Sequence, residues 1–384
     1  MLSYLLSEVS DYMNPIIKWP GGKSGEISKI EALIPSFDRY VEPFFGGGAL
    51  YFYLKPKKAA INDISKSLMQ FYELVKAQDT DLYAYLLCYN SSFQKLQQIC
   101  RDRYDQIYSI FSAAKETGLS KDDVKTQSAA LVSEIVGELL NSLTASIVID
   151  RDEFQNQLLL MFSDKVCRTV ANDKKAPFNE EDLQANLITG FTSGFYMYFR
   201  KVFNDTNLGR IKLPSVPYEA ANFYFIREYC YGSMFRYNSK GEFNIPYGGM
   251  SYNEKNLQTK ISSMFNPEMS KLFGKTVIAH KDFADFIDEL NLTEKDFMFL
   301  DPPYDTDFSD YEGQDFTKQD QQRLADVLRG TKAKFILVIK NTPFIMSLYE
   351  KGFNILSFDN HYTYNVRSRN DRKTEHLIIT NLPV

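Results

Sequence analysis

Several features that define other protein classes are scarce in this chain of 384 residues. It has four cysteines, Cys88, Cys100, Cys167 and Cys230, and none belongs to a CxxC pair. This pattern excludes a disulfide framework and a zinc cluster built on cysteines. No stretch approaches the roughly 20 apolar residues that a membrane span needs. We therefore expect a soluble, cytoplasmic protein with no bound metal and no membrane partner.

The chain also lacks an excess of positive charge. Lys and Arg number 44 against 49 Asp and Glu, which gives a formal net charge of −5. No field of the whole molecule draws such a chain to a polyanion, so any nucleic-acid contact must be local. Basic residues are in modest surplus over 196–242 and 361–375. The 30 Phe and 25 Tyr predict a thick core or rings that stack on flat ligands, and we favour a core.

Short apolar strands at both ends of the chain indicate one α/β layer. From Arg39 the sequence RYVEPFFGGGALYFYLKPKKAAINDIS has the pattern of strand, glycine loop, helix and second strand. Further strand patterns lie at 276–283, 296–304, 334–341 and 375–382. Residues 317–329 have the pattern of an amphipathic helix. Between about 66 and 230 the chain is polar and helical in pattern, which predicts an inserted second unit.

The glycine loop VEPFFGGGAL follows a strand and opens a helix, where doubly wound folds bind nucleotide-like ligands. The dinucleotide pattern GxGxxG fails because Tyr51 follows Gly46 and Gly48 at the third glycine position, and a carboxylate at Glu42 would repel a pyrophosphate. S-adenosylmethionine fits better, since it carries an ammonium and a sulfonium and no phosphate. Asp63, after the next strand, is placed to accept hydrogen bonds from both ribose hydroxyls. A plain βα turn with a helix-capping aspartate is the alternative.

The segment Asp301, Pro302, Pro303 and Tyr304 follows an apolar strand and so lies at the same edge of the sheet. An exocyclic amine such as adenine N6 is a poor nucleophile, because its lone pair is delocalised into the ring. A carboxylate at Asp301 and the carbonyl of Pro302 can each accept one N–H and stabilise the nitrogen as it becomes tetrahedral and positive. Tyr304 offers a ring face to a planar base. Alone, the segment also fits an ordinary strand-end turn.

In combination these motifs resemble the Dam-type N6-adenine-specific DNA methyltransferases of the alpha group. The matching segments, in the family's order, are KWPGGK (18–23), VEPFFGGG (41–48), INDIS (61–65), FRYNSKGEFNIPYG (235–248), LDPPY (300–304) and DFTKQDQQRLA (315–325). The resemblance implies a doubly wound, Rossmann-like methyltransferase core made of residues 1–75 and 270–384. Residues 76–269 would form an inserted, mainly helical target-recognition domain that contains a β-hairpin.

The resemblance also implies roles for individual residues. Together with Glu42, the donor-binding set is Trp19, Lys23, Phe44, Gly46, Gly48, Asp63, Asp282 and Phe283. The flipped target base would be held by Asp301, Pro302, Pro303 and Tyr304. In this family an aspartate at the first motif position favours adenine N6 over cytosine N4. Cytosine C5 methylation is excluded, because it needs a cysteine nucleophile after a proline and no cysteine here follows one.

Residues 234–247 alternate at strand spacing, which predicts a hairpin. Phe235, Tyr237, Phe243, Ile245 and Tyr247 fall on one face, and Arg236, Asn238 and Asn244 on the other. A two-stranded ribbon fits the DNA major groove, where Arg pairs with guanine and Asn with adenine. In the family the arginine of this element reads a guanine, so Arg236 is the main predicted base contact. Asn238, Asn244 and Lys18 complete the predicted DNA-binding set, and a solvated hairpin face is the alternative.

The predicted function is site-specific methylation of adenine N6 in double-stranded DNA, by a monomer that uses S-adenosylmethionine. A cognate restriction endonuclease is a further partner that the resemblance allows. Two other functions stay open: methylation of RNA or of a protein amide, and DNA binding by a chain that kept the fold and lost turnover. Segment 82–225 departs from compact family members, so the sequence does not predict the recognised bases.

Overall fold

The computed structural model describes residues 13–22, 25–304, 310, 311, 314–361 and 373–383. The helices are α1 (Ile27–Ile30), α2 (Ala49–Leu54), α3 (Lys66–Lys76), α4 (Thr80–Asp102), α5 (Tyr104–Thr117), α6 (Lys121–Asn141), α7 (Arg151–Asp173), α8 (Glu180–Asn207), α9 (Val216–Tyr229), α10 (Gln258–Met264), α11 (Pro267–Phe273), α12 (Phe283–Glu289), α13 (Lys318–Gly330) and α14 (Pro343–Tyr349). The strands are β1 (Arg39–Glu42), β2 (Ala59–Asn62), β3 (Thr276–Ala279), β4 (Asp296–Leu300), β5 (Asp310–Tyr311), β6 (Gln314–Asp315), β7 (Lys334–Lys340), β8 (Asn354–His361) and β9 (Lys373–Thr380). No helix among these residues is both long enough and apolar enough to cross a membrane.

The chain divides into two compact units. One unit consists of Met1–Lys76 and Pro267–Val384, and the other of Ala77–Asn266. The first unit contains all the strands given above, whereas the second is built from helices α4 to α10. The second unit is therefore an insertion between two segments of the first.

The first unit is organised around a sheet with the strand order β3-β2-β1-β4-β7-β9-β8. The five strands from β3 to β7 are parallel, and β9 runs antiparallel to both β7 and β8. From β1 the chain first builds outward through β2 and β3, and later returns to place β4 on the other side of β1. Such a reversal opens a crevice at the carboxyl ends of the central strands. The predicted doubly wound, Rossmann-like fold is confirmed.

Continuous apolar sequence makes the central strands suitable for the inside of this layer. Every residue of β2 and β4 is buried, as are the five inner residues of β7, the pattern of parallel strands covered on both faces. Helices α12, α13 and α14 bury apolar side chains against this part of the sheet. Helix α13 starts at a capping box in which Thr317 and Asp320 each accept a hydrogen bond from the other's backbone N–H, which fixes where the helix begins.

The second unit is a set of long helices whose starts are set by polar caps. Asp79, Ser120, Asp150, Asn179 and Ser215 each accept a hydrogen bond from the backbone N–H three residues further on. Such caps satisfy donors that the first turn of a helix leaves without a partner. The helical pattern predicted for residues 66–230 is confirmed, since helices α3 to α9 occupy most of it.

Aromatic side chains fill the core of the second unit. The ring of Phe225 has centroid distances between 4.8 and 6.2 Å to five neighbouring rings. These neighbours are Tyr89, Phe93, Phe195, Phe199 and Tyr229. Stacked, edge-to-face and tilted arrangements of this kind stabilise a core beyond the area that they bury. In this unit the high Phe and Tyr content serves packing, as we expected from composition.

Candidate active site

A cavity of about 330 Å³ lies in the first unit, where the loops after β1, β2, β3 and β4 converge. The predicted donor-binding residues that line it are Trp19, Glu42, Phe44, Gly46, Gly48, Asp63, Asp282 and Phe283. Asp301, Pro302, Pro303 and Tyr304 line the same cavity. Lys23 lies outside the described residues. Two segments more than 200 positions apart in sequence thus meet at one site.

The glycine loop has a geometry that other residues would not tolerate. Gly46 and Gly48 have φ values of +49° and +65°, in the left-handed region that favours glycine. A Cβ on Gly46 would come within 2.6 Å of Trp19 Cδ1, and one on Gly48 within 2.4 Å of Phe45 Cζ. The loop backbone therefore lies directly against the Trp19 side chain, and it can approach a ligand closely.

Asp63 connects the glycine loop to the start of α3. Its Oδ2 accepts a hydrogen bond from the Gly46 N–H at 2.8 Å, and its Oδ1 accepts one from the Ser65 N–H at 2.9 Å. Ser65, rather than Asp63, receives the Leu68 N–H at the first turn of α3. A carboxylate has about four acceptor positions, so two hydrogen bonds leave capacity on both oxygens for a ligand. Burial raises the pKa of Asp63.

Five carboxylate side chains line the cavity, those of Glu42, Asp63, Asp282, Asp301 and Asp320. Glu42 is buried and accepts a hydrogen bond from the Tyr40 hydroxyl at 2.8 Å. Burial raises the pKa of Glu42 well above its usual range, and the charges of Asp301 and Asp63 add to the increase although the Tyr40 hydrogen bond opposes it. Neighbouring like charges and desolvation both disfavour the ionised form. The cavity therefore favours a positively charged ligand and disfavours a phosphate.

Asn62 holds three strand-end loops together, a role that sequence reasoning missed. Its Nδ2 donates to the carbonyls of Pro43 at 3.1 Å and Lys281 at 3.0 Å, and its Oδ1 accepts from the Lys281 N–H at 2.9 Å. The side chain is only 1% exposed. The motif INDIS contains Asn62, but only the aspartate beside it carried a predicted role. A buried amide at a strand end, next to a functional acid, was the available signal.

An aromatic wall closes one side of the cavity. The rings of Phe44, Phe283 and Phe316 lie between 5.3 and 5.7 Å from one another, measured between centroids. Beside them, Asp282 accepts hydrogen bonds from the Ala284 N–H and from Arg323 Nη2. Such a wall suits a flat ring, because aromatic faces stack on planar ligands. Phe316 had no predicted role.

The segment from Asp301 to Tyr304 is supported from behind by two buried residues. The Gln321 Nε2 donates a hydrogen bond to the Pro303 carbonyl at 2.8 Å. The Tyr304 ring packs edge-on against the His376 ring, with centroids 5.3 Å apart. Neither Gln321 nor His376 was predicted as a site residue, and both are fully buried. Most side chains that touch the cavity could be predicted from motifs, although Asn62 and Phe316 were missed, and the side chains that support them from behind were not predicted.

In the second unit, residues 234–247 form a narrow hairpin. Tyr237 and Phe243 form an antiparallel bridge, and the Asn244 N–H donates to the Arg236 carbonyl at 3.1 Å. Phe243, Ile245 and Tyr247 are buried whereas Arg236 is exposed, as the predicted faces require. The other members, Phe235, Tyr237, Asn238 and Asn244, are all half-buried. On the polar face, Arg236 Nε donates to Asn244 Oδ1 at 2.8 Å.

Asn238 is engaged in the turn of the hairpin. Its Oδ1 accepts from the N–H groups of Lys240 and Glu242 at 2.9 and 3.0 Å, and its Nδ2 donates to the Glu242 carboxylate at 3.0 Å. Local bonding of this kind is typical of asparagine in turns. Contact with a base stays a prediction for Asn238, and it would require these turn contacts to break. Lys18 is partly exposed and is not among the residues that line the cavity.

Helix α8 supports the hairpin with three side chains spaced four residues apart. The Tyr196 hydroxyl and Arg200 Nη1 both donate to the Ile245 carbonyl, at 2.9 and 3.0 Å. The Asn204 amide donates to the Phe243 carbonyl at 3.0 Å and accepts from the Phe243 N–H at 2.8 Å. Residues four apart share one helix face. This row therefore satisfies the backbone of the hairpin as a neighbouring strand would.

The structure describes one of the two segments that are rich in basic residues, 196–242, but little of the other, 361–375. Within 196–242, Lys201 pairs with Asp205, and Arg210 pairs with both Asp205 and Glu242. These pairs reduce the positive charge that the surface offers to a polyanion. Most of the second surplus, at 362–372, lies outside the described residues.

Comparison with known proteins agrees with the motifs. The family model of D12 class N6 adenine-specific DNA methyltransferases matches residues 19–150 and 164–364. Type II methyltransferase M.CviBI of Paramecium bursaria Chlorella virus NC1A is 35% identical over 165 residues, which are 42% of this chain and 60% of that protein. Type II methyltransferase M.MjaIII of Methanocaldococcus jannaschii is 27% identical, with 89% of this chain and 90% of that protein covered. Type II methyltransferase M1.LlaDCHI of Lactococcus lactis subsp. cremoris is 24% identical, with 98% of each covered. The match thus spans less than two thirds of the viral relative and nearly all of the other two.

Proposed function

The chain belongs to the D12 class of N6 adenine-specific DNA methyltransferases, and we propose that it transfers a methyl group from S-adenosylmethionine to a specific adenine flipped out of duplex DNA. One observation carries the proposal. The glycine loop, Asp63 and the segment beginning at Asp301 converge on one cavity, although they are distant in sequence. A donor site and an amine-accepting site are thus close enough to act on each other.

The residues of the cavity fit S-adenosylmethionine, which when bound supplies a methyl group on a positively charged sulfur. The charges of Asp63 and Asp301 add to the raised pKa of Glu42, and a nearby cation relieves that repulsion. Asp63 keeps acceptor capacity for ribose hydroxyls. Phe44 and Phe283 offer ring faces beside the loop to the donor adenine.

On the target side, the chain's own groups act on adenine N6. The Asp301 carboxylate and the Pro302 carbonyl each accept one N–H of the amine, which draws the nitrogen lone pair out of conjugation. As the nitrogen gains a fourth bond it becomes positive, and these two acceptors stabilise that charge more than they stabilise the ground state. The positive nitrogen then loses one proton on the side that faces the Asp301 carboxylate, which makes the amine neutral again. Tyr304 stacks on the extruded base.

We assign recognition of the DNA sequence to the second unit. The exposed Arg236 on the polar hairpin face is suited to guanine O6 and N7, and its hydrogen bond to Asn244 fixes the direction of the guanidinium. Asn238, on the same hairpin, and Lys18, in the first unit, are weaker members of the predicted DNA-binding set. The three relatives described above are named type II methyltransferases, which favours a setting that includes a cognate restriction endonuclease. The enzyme would act as a monomer in the cytoplasm.

The test is to express the chain in cells that lack adenine methylation and to map modified adenines in their DNA by sequencing. We expect N6-methyladenine in one short sequence context, and none in cells that express Asp301→Ala. Transfer of a tritiated methyl group to RNA or protein but not to DNA would favour the other polymer substrates. DNA binding with no transfer to any polymer would identify a silent binding module.

A further inference from the structure

The segment from Asp301 to Tyr304 has too few backbone N–H donors to hydrogen-bond its own carbonyl groups. Pro302 and Pro303 have no N–H, so the segment contains more acceptors than donors. Proline fixes φ but leaves ψ free, and ψ at Pro303 sets the direction of its carbonyl and of the Tyr304 backbone that follows. Some group outside the segment must fix this angle if the segment is to hold one shape.

Gln321 is that group. Its Nε2 donates to the Pro303 carbonyl at 2.8 Å, and its side chain has no exposed surface. It lies in the first turns of α13, a helix held in place by the capping box at Thr317 and by buried Leu324 and Leu328. The donor is thus attached to a rigid element rather than to another loop.

Folding alone does not account for a glutamine at this position. Within the described part of the chain, the Gln321 Oε1 is buried and has no hydrogen-bond partner. An unsatisfied buried amide oxygen destabilises a fold, and an apolar side chain of the same size would avoid that loss but would leave the Pro303 carbonyl without this donor. The position therefore carries a polar donor at the expense of packing.

We propose that Gln321 is a positioning residue for methyl transfer. Because the ring of Pro303 fixes φ, holding ψ at Pro303 also fixes the preceding Pro302 carbonyl relative to the anchored Pro303 carbonyl. Gln321 thereby directs the Pro302 carbonyl toward the amine and the Tyr304 ring toward the face of the target base. This inference rests on the proposed function, and it concerns the second acceptor of the amine rather than Asp301. Gln321 itself does not touch the substrate.

The first experiment compares Gln321→Met with Gln322→Met in the full chain. Methionine matches glutamine in size but does not donate a hydrogen bond, and Gln322 is an exposed neighbour on the same helix whose amide contacts only Asp326 among the contacts described. For Gln321→Met we expect kcat on duplex DNA to fall by on the order of tenfold to a hundredfold. The calorimetric Kd for S-adenosylmethionine and the melting temperature should match those of Gln322→Met. Unchanged kcat would overturn the proposal.

The second experiment uses Gln321→Glu and a readout that a merely structural role would not move. A protonated glutamic acid can donate to the Pro303 carbonyl, whereas the carboxylate repels it, and burial favours the protonated form. The kcat of this variant, divided by that of the unsubstituted enzyme at the same pH, should therefore rise as the pH falls from 8.5 to 5.5. A ratio that does not change with pH overturns the proposal, as does a failure of both variants to fold.

The two hypotheses fail in different ways. If the unsubstituted chain methylates no adenine, the proposed function is wrong. If it methylates adenine and Gln321→Met does so equally fast, only the role of Gln321 is wrong.

Discussion

The cavity of the first unit and the hairpin of the second unit are built in different ways. Most side chains that line the cavity come from the ends of buried strands or from the loops directly after them, so the topology of the sheet brings them together. The hairpin is a local element, yet its backbone is held by Tyr196, Arg200 and Asn204, which lie 39 to 49 residues earlier, on α8. Residues that carry chemistry thus follow from motifs, whereas residues that hold a recognition element do not.

The largest effect should come from the acid that faces the target amine. We expect Asp301→Asn to lower methylation by about a hundredfold to a thousandfold, because a neutral amide replaces the carboxylate charge that stabilises the positive nitrogen in the transition state. Donor binding should persist. A tritiated-methyl assay measures the first quantity and calorimetry the second, with the exposed Asp326→Asn as the control. Turnover near that of the control would contradict the role of Asp301 and weaken the contrast between the two regions.

Glu42 tests whether the cavity sacrifices stability for ligand binding. Its pKa is raised in the folded protein, so the folded state binds more protons than the unfolded state between the ordinary and the raised pKa. The free energy of unfolding therefore falls as the pH rises through that range, by about 1.4 kcal/mol for each unit by which the pKa is raised. We expect Glu42→Gln to raise the melting temperature of the ligand-free protein at pH 8 and to leave it nearly unchanged at pH 4.

The same Glu42→Gln variant should bind S-adenosylmethionine more weakly than the unsubstituted chain at pH 8, since a bound cation favours the ionised form of Glu42 and the amide cannot ionise. Calorimetry at both pH values measures this. A variant that is less stable at pH 8 would show that Glu42 is a structural residue. The cavity would then resemble the hairpin, in which polar groups mainly support the backbone.

Sequence patterns predicted the parts of the fold that have continuous apolar runs. The strand predicted at 334–341 is β7, and the helix predicted at 317–329 is α13. The strand predicted over 276–283 ends at Ala279, because Asp282 caps α12, which begins at Phe283. Helices α12 and α14 have seven residues each, too few to show a helical period.

The site divides along a similar line. Glu42, Asp63 and Asp301 could be predicted because Glu42 ends a short apolar strand and the two aspartates directly follow one. Asn62 and Gln321 were not predicted. Each amide contacts only backbone groups, and these come close to it only in the folded chain. Sequence motifs thus indicate the residues that react or bind, whereas three-dimensional contacts are needed to find the residues that position them.

Arg236 tests the recognition half of the comparison. We expect Arg236→Ala to reduce discrimination at one guanine by on the order of 1 to 3 kcal/mol, as is typical for loss of a bidentate contact to a base. The measurement is the sequence profile of methylated adenines on a randomised duplex library. Lys240→Ala, at the exposed turn of the same hairpin, should weaken methylation evenly across sequences. An unchanged profile for Arg236→Ala would refute the base contact.

The smallest effect should come from Asn204, which lies behind the hairpin. In Asn204→Asp the side chain still accepts from the Phe243 N–H but repels the Phe243 carbonyl, to which Asn204 now donates. Loss of one such hydrogen bond is worth on the order of 1 kcal/mol. We therefore expect discrimination at the same guanine to relax, by less than in Arg236→Ala, and methylation of the preferred site to be nearly retained.

Asn207→Asp is the matched control, because it makes the same charge change at an exposed position of the same helix. If Asn204→Asp and Asn207→Asp give the same profile on the randomised library, α8 does not position the hairpin, and the row at 196, 200 and 204 only packs against it. If Asn204→Asp alone relaxes the profile, and at the position that Arg236→Ala affects, specificity extends from the reading side chain into the helix that holds it. The cavity and the hairpin would then use the same device, in which hydrogen bonds to the backbone position a group that reacts or reads a base. They would differ only in how easily the supporting residues can be found in the sequence.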